Sequence, residues 1–280
     1  MSLDPKLVFR HGIQTVLRNA GVSLALSWPW ILLLVVIFIV AGFAGSQFVV
    51  GNTSVAPNSG TGALFFWIAF LATMFVVVMG FVSVAVNWHR FILRDEFPGV
   101  LQRLALGGNV WRYLLRSFMI GLLVVLVLSV PIIIGFFATY PFSDGANQTD
   151  LLSQPPIGSV IAQLIVFGVI GILAQTFMFR YGLALPDAAL GLNKIGLSES
   201  WRLTQGFFGL LFSLSFYFVA MNVGASIVIE VLSRLTGSLS PVAGLLVWLV
   251  IGIPVNWFFF FLSITILTTL YGHIVEKRPL

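Results

Sequence analysis

Six long apolar runs, each free of charge at its centre, alternate along this chain with shorter segments that collect arginine, lysine and acidic residues. The runs lie near 22–45, 61–88, 117–140, 157–179, 207–232 and 241–272. About 20 helical residues cross the ~30 Å of bilayer hydrocarbon, so each run is long enough for one crossing. The pattern predicts an all-α polytopic membrane protein, with residues 1–280 forming one integral membrane domain. Pro254 interrupts the last run, and a kinked or tilted helix there would absorb its extra length. The first run begins too far into the chain and is too long for a cleavable signal core, so it is expected to remain in the mature protein.

The polar punctuation is regular. Arg18 to Arg90 spans 72 residues, Arg112 to Arg180 spans 68 and Arg202 to His273 spans 71, while the connectors from Arg90 to Arg112 and from Arg180 to Arg202 are both 22. Trp111-Arg112 and Trp201-Arg202 recur at an offset of 90 residues, as do Arg90 and Arg180. Three helical hairpins related as parallel repeats, near 18–90, 112–180 and 202–273, are the architecture this spacing implies.

Thirteen of the 14 basic residues fall in the N-terminal segment, the two connectors and the C-terminal tail, leaving only Arg234 on the other side. By the positive-inside rule both termini and both connectors face the cytoplasm. The loops near 46–60 and 141–156 then lie outside, and the Asn-x-Ser/Thr triplets at Asn52 and Asn147 fall in them. Residues 5–20 set Leu7, Val8, Ile13, Val16 and Leu17 against Lys6, Arg10, Gln14 and Arg18, the pattern of an interfacial amphipathic helix. The first connector similarly opposes Phe97, Val100, Leu101 and Leu104 to Arg94, Asp95, Glu96 and Arg103. In the second, Pro186 and Asp187 are placed to start a helical turn, and Ser198 to cap the segment leading into Trp201.

Only 8% of residues are charged and 59% are hydrophobic, a composition suited to lipid and far from that of a soluble domain. The net charge of +5 is a property of one face, and it sits beside spanning helices, which argues against nucleic acid as a partner. Having no cysteine, the chain has no disulfides, thiolate metal sites or cysteine nucleophiles. His89-Arg90 is the only His-Arg dipeptide, and Asp95 and Glu96 are too isolated to complete a metal site, so neither metal nor cofactor is expected.

The segment Arg180–Phe212, RYGLALPDAALGLNKIGLSESWRLTQGFFGLLF, resembles a pattern that recurs in bacterial six-helix inner-membrane proteins of unknown function. There an aromatic-Arg helix end leads to a Leu-Pro turn, a glycine-rich stretch and Ser-x-x-aromatic-Arg-Leu-Thr-x-Gly. It is similar to the membrane domain fused to some glycerophosphoryl diester phosphodiesterases. The resemblance implies a six-helix fold in the bacterial cytoplasmic membrane. The phosphodiesterase chemistry itself belongs to a soluble barrel of roughly 250 residues, for which these six runs leave no room. The signature of mitochondrial carriers, Pro-x-Asp/Glu-x-x-Lys/Arg on the odd-numbered helices, does not follow Pro29 or Pro131.

Arg90, Arg112, Arg180, Arg202 and His273 stand where the hairpins begin or end, and packing around an axis would gather them into a ring suited to phosphate or an anionic headgroup. Each could equally anchor its own helix at the interface, as Trp88, Trp111 and Trp201 are expected to do. Gln163, Gln175, Asn222 and Asn256 lie deep in the runs and are expected to bridge helices. Glu230 and Arg234 form an i to i+4 pair. No run carries a central acidic, basic or histidine residue of the kind that couples ions to transport. The expected function is therefore a non-enzymatic inner-membrane module that binds anionic lipid or joins a membrane complex. The alternative is a passive or partner-driven transporter of a small amphipathic or anionic molecule, working through bends at Pro131 and Pro254.

Overall fold

A computed structural model describes residues 3–50, 60–104, 106–139, 157–238 and 240–279. Among these residues there is no strand, and six helices are long and apolar enough to cross a membrane. The chain is an all-α, multi-pass membrane protein. In order, the helices are α1 (Pro5–Arg18), α2 (Ala20–Val50), α3 (Gly60–Arg94), α4 (Val100–Arg103), α5 (Gly108–Thr139) and α6 (Ile157–Gly182). They continue with α7 (Ala184–Leu190), α8 (Leu197–Leu203), α9 (Phe208–Gly237), α10 (Pro241–Val247) and α11 (Ile253–Ile274).

Consecutive spans pack as hairpins: α2 on α3, α5 on α6, and α9 on α10. The sixth span is α10 and α11 joined through a π-helical turn at Trp248–Gly252. Pro254 accounts for that turn. It has no N–H to offer the carbonyl four residues back, and its ring crowds that carbonyl, so the ladder widens before it resumes. The indole of Trp248 closes over the widened turn, where a Cβ on Gly252 would lie 2.7 Å from its ring.

The half of α11 nearer the chain's end is the hub. From Phe259 to Ile274 it is buried nearly all round, as expected of an evenly apolar helix placed in a protein core. Within lipid no hydrophobic force drives helices together, so close backbone approach and interhelical hydrogen bonds must hold the bundle. Both occur here. Gly12 lets α1 sit on α11, where a Cβ would come within 3.2 Å of Leu262, and Gly182 lets the end of α6 approach Leu267, where a Cβ would come within 2.9 Å. Trp88 of α3 donates from Nε1 to Thr265 Oγ1 at 2.9 Å, and Trp257 donates to Ser27 Oγ of α2 at 3.1 Å.

Burial gathers at the end of the bundle that carries the connectors, at Leu26 and Trp30 of α2, Met79–Leu93 of α3 and Phe179–Leu190 through α7. The opposite half of α2 presents Val36, Phe38, Ile39 and Val40 to its surroundings. This is the surface expected against lipid tails.

Both connectors are tied into the bundle by contacts that their linear pattern does not show. In the first, Arg103 is buried and Leu101 is the exposed residue. The reason is hydrogen bonding. Arg103 donates to the Ala25 carbonyl of α2 at 2.6 Å and to the Pro98 carbonyl at 3.1 Å, while its own carbonyl accepts from Trp30 Nε1 and Ser83 Oγ. In the second, all seven residues of α7 are buried, packed on α5 and α3. The helix starts at Ala184, two residues before Pro186, and Asp187 is an interior residue of it. It stops at Gly191, whose φ of 72° is the left-handed conformation that glycine adopts without strain. Ser198 caps nothing. Gly196 occupies the N-cap position of α8, and Ser198 lies exposed in its first turn.

Candidate functional site

The five cationic positions that the repeats mark out do not share partners. Arg90 pairs with Glu96, with Nε 2.7 Å from the carboxylate. Arg202 pairs with Glu199 at 2.8 Å. Arg112 is exposed and, among the described residues, reaches only Asn109 Oδ1, at 3.5 Å. His273 meets the Arg278 carbonyl at 3.0 Å through Nδ1.

Arg180 differs from all of them. It is 8% exposed, and its guanidinium carbon lies 3.4 Å from the centroid of the Trp201 ring. Its Nε is enclosed and makes no hydrogen bond, and neither terminal nitrogen meets a carboxylate or carbonyl among the described residues. This setting is built locally. Ser200 Oγ on α8 donates to the Arg180 carbonyl at 2.6 Å, fastening α8 to the end of α6 and bringing Trp201 over the guanidinium. Tyr181 and Phe177 stack on the same indole, at centroid distances of 5.1 and 6.3 Å, and Phe208 opens α9 at 6.0 Å from the guanidinium. The face of the cation is thus satisfied by aromatic electron density, worth about 0.5–2 kcal/mol, while its hydrogen-bonding edge is not.

A second charged centre lies inside the connector layer. Asp187 is fully buried and accepts from Arg116 Nη1 at 3.0 Å and from the backbone N–H groups of Lys194 and Ile195, both at 3.2 Å. Arg116 also donates to the Ala184 carbonyl at 2.7 Å. The acid therefore folds the glycine-rich stretch back on α7 and ties both to α5. Asp187 in an otherwise apolar run, Leu-Ala-Leu-Pro-Asp-Ala-Ala-Leu, is the one sequence signal that marks it.

His89 makes its contacts inside the bundle and not with Glu96, whose partners among the described residues are Arg90 and Arg94. It is buried, with Nδ1 2.7 Å from Thr268 Oγ1 and Nε2 3.2 Å from Tyr113 Oη. Thr268 commits its single hydroxyl proton to the Ile264 carbonyl at 2.6 Å, so its oxygen accepts from His89. His89 then carries a proton on Nδ1, and its Nε2 faces the Tyr113 hydroxyl. Tyr113 also borders an apolar concavity of about 300 Å³ between α3, α5, α6 and α11, whose wall includes Ser117, Gln175 and Leu185.

Trp88, expected at the membrane interface, has no exposed surface, because its indole is consumed in the contact with Thr265 and Phe261. Trp111 is 48% exposed, while Trp201 is occupied with Arg180. Asn256 does not bridge helices. It donates to the Gly252 carbonyl of its own helix at 2.8 Å, within reach of the π turn. Gln175 faces the concavity and Asn222 is half-buried on α9. The bridging work falls instead to Trp, Ser, Thr, His and Tyr side chains. The Gln163 side chain, Asn52 and Asn147 lie outside the described residues. The Glu230–Arg234 pair forms on α9 at 2.6 Å.

No family model, curated protein or solved structure matches the chain.

Proposed function

We propose that the protein is a non-enzymatic bacterial inner-membrane module that binds an anionic, phosphate-bearing lipid headgroup at Arg180. The observation that carries this reading is that Arg180, a residue 8% exposed, has its Nε enclosed without a hydrogen bond, stacks its guanidinium on Trp201 and lacks an anionic partner among the described residues. A buried cation without a counter-charge is costly, and a ligand phosphate supplies both the charge and the acceptors that its edge lacks. Arg180 ends a spanning helix at the level of the connectors, where headgroups lie if both connectors face the cytoplasm.

The interior supports binding over transport. Hub helix α11 fills the bundle's centre with Phe259, Phe261, Leu262 and Ile266, and the concavity beside it is apolar and confined to the connector half. The exposed apolar half of α2 is available to lipid or to a partner's transmembrane helix.

Native mass spectrometry from nanodiscs containing phosphatidylglycerol tests the assignment. Arg180→Gln is expected to lose retained anionic lipid, and Arg180→Lys to recover only part of it, because an ammonium cannot present a planar fork while stacked on Trp201. Full retention in Arg180→Gln, with the fold intact, would overturn it.

A further inference from the structure

A second polar concavity, of about 660 Å³, opens between the end of α3, the first connector and the start of α5. Its wall carries Asn87, Arg90, Glu96, Gln102 and Asn109, with Gly107 and Gly108 at one edge. Unlike the surroundings of Arg180 it is electrically balanced. Arg90 directs both Nε and Nη2 at one oxygen of Glu96, Oε2. That leaves Arg90 Nη1 as a donor without a partner among the described residues, and Glu96 Oε1 as an acceptor whose nearest cation is Arg94, 3.9 Å away.

The amides around the pair are half-used in the same complementary way. Asn87 donates from Nδ2 to the Ser83 carbonyl at 2.9 Å, and its oxygen has no donor among the described residues. Gln102 accepts the Gly99 N–H at 3.1 Å, and its amide nitrogen has no acceptor among the described residues. The concavity thus offers two donors, one of them cationic, and two acceptors, one of them anionic. A bare phosphate would meet the Glu96 carboxylate, and a simple amine would meet the Arg90 guanidinium, so neither fits alone.

We propose that this concavity binds a phosphoethanolamine group, its phosphate directed to Arg90 Nη1 and the Gln102 amide nitrogen, and its ammonium to Glu96 Oε1 and the Asn87 oxygen. Phosphatidylethanolamine is one source of that group, and a soluble phosphoethanolamine is the other. A trimethylated headgroup cannot donate to Glu96 or Asn87, which gives the site a sharp discrimination. The site is separate from Arg180 and does not depend on the anionic-lipid reading.

The full chain is placed in nanodiscs holding equal mole fractions of phosphatidylethanolamine, phosphatidylcholine and phosphatidylglycerol, and retained lipid is counted by native mass spectrometry. Phosphatidylethanolamine should exceed phosphatidylcholine by roughly threefold, the scale of one partly solvated charge-assisted contact. That preference should fall to parity in Glu96→Gln, whereas Gln102→Ala, which removes a phosphate contact, should lower phosphatidylethanolamine retention, and phosphatidylglycerol retention follows Arg180 only. The second arm adds free phosphoethanolamine to protein in phosphatidylcholine nanodiscs. A rise in thermal midpoint there, absent in Glu96→Gln, assigns the same chemistry to a soluble ligand. Equal retention of the two zwitterionic lipids together with no response to free phosphoethanolamine would overturn the proposal.

Discussion

Arg116 of α5 and Asp187 of α7 form a buried ion pair, with Nη1 3.0 Å from a carboxylate that has no exposed surface. Two backbone N–H groups complete the coordination of that carboxylate, so the pair is a lock on the second connector as well as a charge contact. Removing one partner of such a pair leaves the other uncompensated. Asp187→Leu should therefore cost about 3–5 kcal/mol, towards the lower end because Arg116 keeps some solvent contact. Joining it with Arg116→Met should restore part of the loss, since an apolar pair strands no charge. Thermal unfolding midpoints in mild detergent check both, and a double variant as unstable as the sum of the singles would refute the lock.

His89 and Tyr113 offer a second coupled pair. His89→Phe strands the Tyr113 hydroxyl, a penalty of about 1–3 kcal/mol, whereas Thr268 still donates to Ile264. Adding Tyr113→Phe should then cost little more. A double-mutant cycle on stability measures the coupling, and strict additivity would contradict the hydrogen bond between His89 and Tyr113.

The two tryptophans Trp88 and Trp111 separate a core role from an interfacial one. Trp88→Ala removes a fully buried ring and should destabilise the protein by about 3–5 kcal/mol. Trp111→Ala removes a ring that is 48% exposed and should change stability by about 0.5 kcal/mol or less. Comparable losses in both would mean that burial does not govern their contributions.

Orientation is open to direct labelling because the chain has no cysteine of its own. Single variants Ser59→Cys, Asn147→Cys and Ser238→Cys should react with an impermeant maleimide from outside the cell. Reaction only after the cytoplasmic face is exposed would reverse the topology drawn from the basic residues.

The spans were legible because lipid imposes a one-dimensional rule, a long run without charge; each predicted run lies largely within an observed helix, although α5 begins nine residues before its run and α3 ends six residues after its own. Hairpin pairing followed from the regular spacing of the basic residues that flank each pair of spans. The interior of the connectors was not legible. Arg103 and Asp187 look like surface residues in a linear pattern, yet each is drawn inward by carbonyl or N–H groups that come from distant parts of the chain. Trp88 was misplaced for the same reason, since its position at a helix end says nothing about Thr265, 177 residues away. Among the five candidate cations, sequence could not single out Arg180, because what distinguishes it is burial against Trp201 with no anionic partner among the described residues, and that is a property of the fold.

The central claim is that anionic-lipid binding is concentrated at Arg180 and not spread over a ring of five. The direct measurement is retained phosphatidylglycerol, by native mass spectrometry, for Arg90→Gln, Arg112→Gln, Arg180→Gln, Arg202→Gln and His273→Gln under one set of conditions. Arg180→Gln is expected to abolish a bound lipid that the other four variants keep, each of those changing retention by no more than the roughly 1 kcal/mol of a single cation near an anionic surface. Equal, small losses across all five would contradict the account and leave these residues as anchors of the membrane topology.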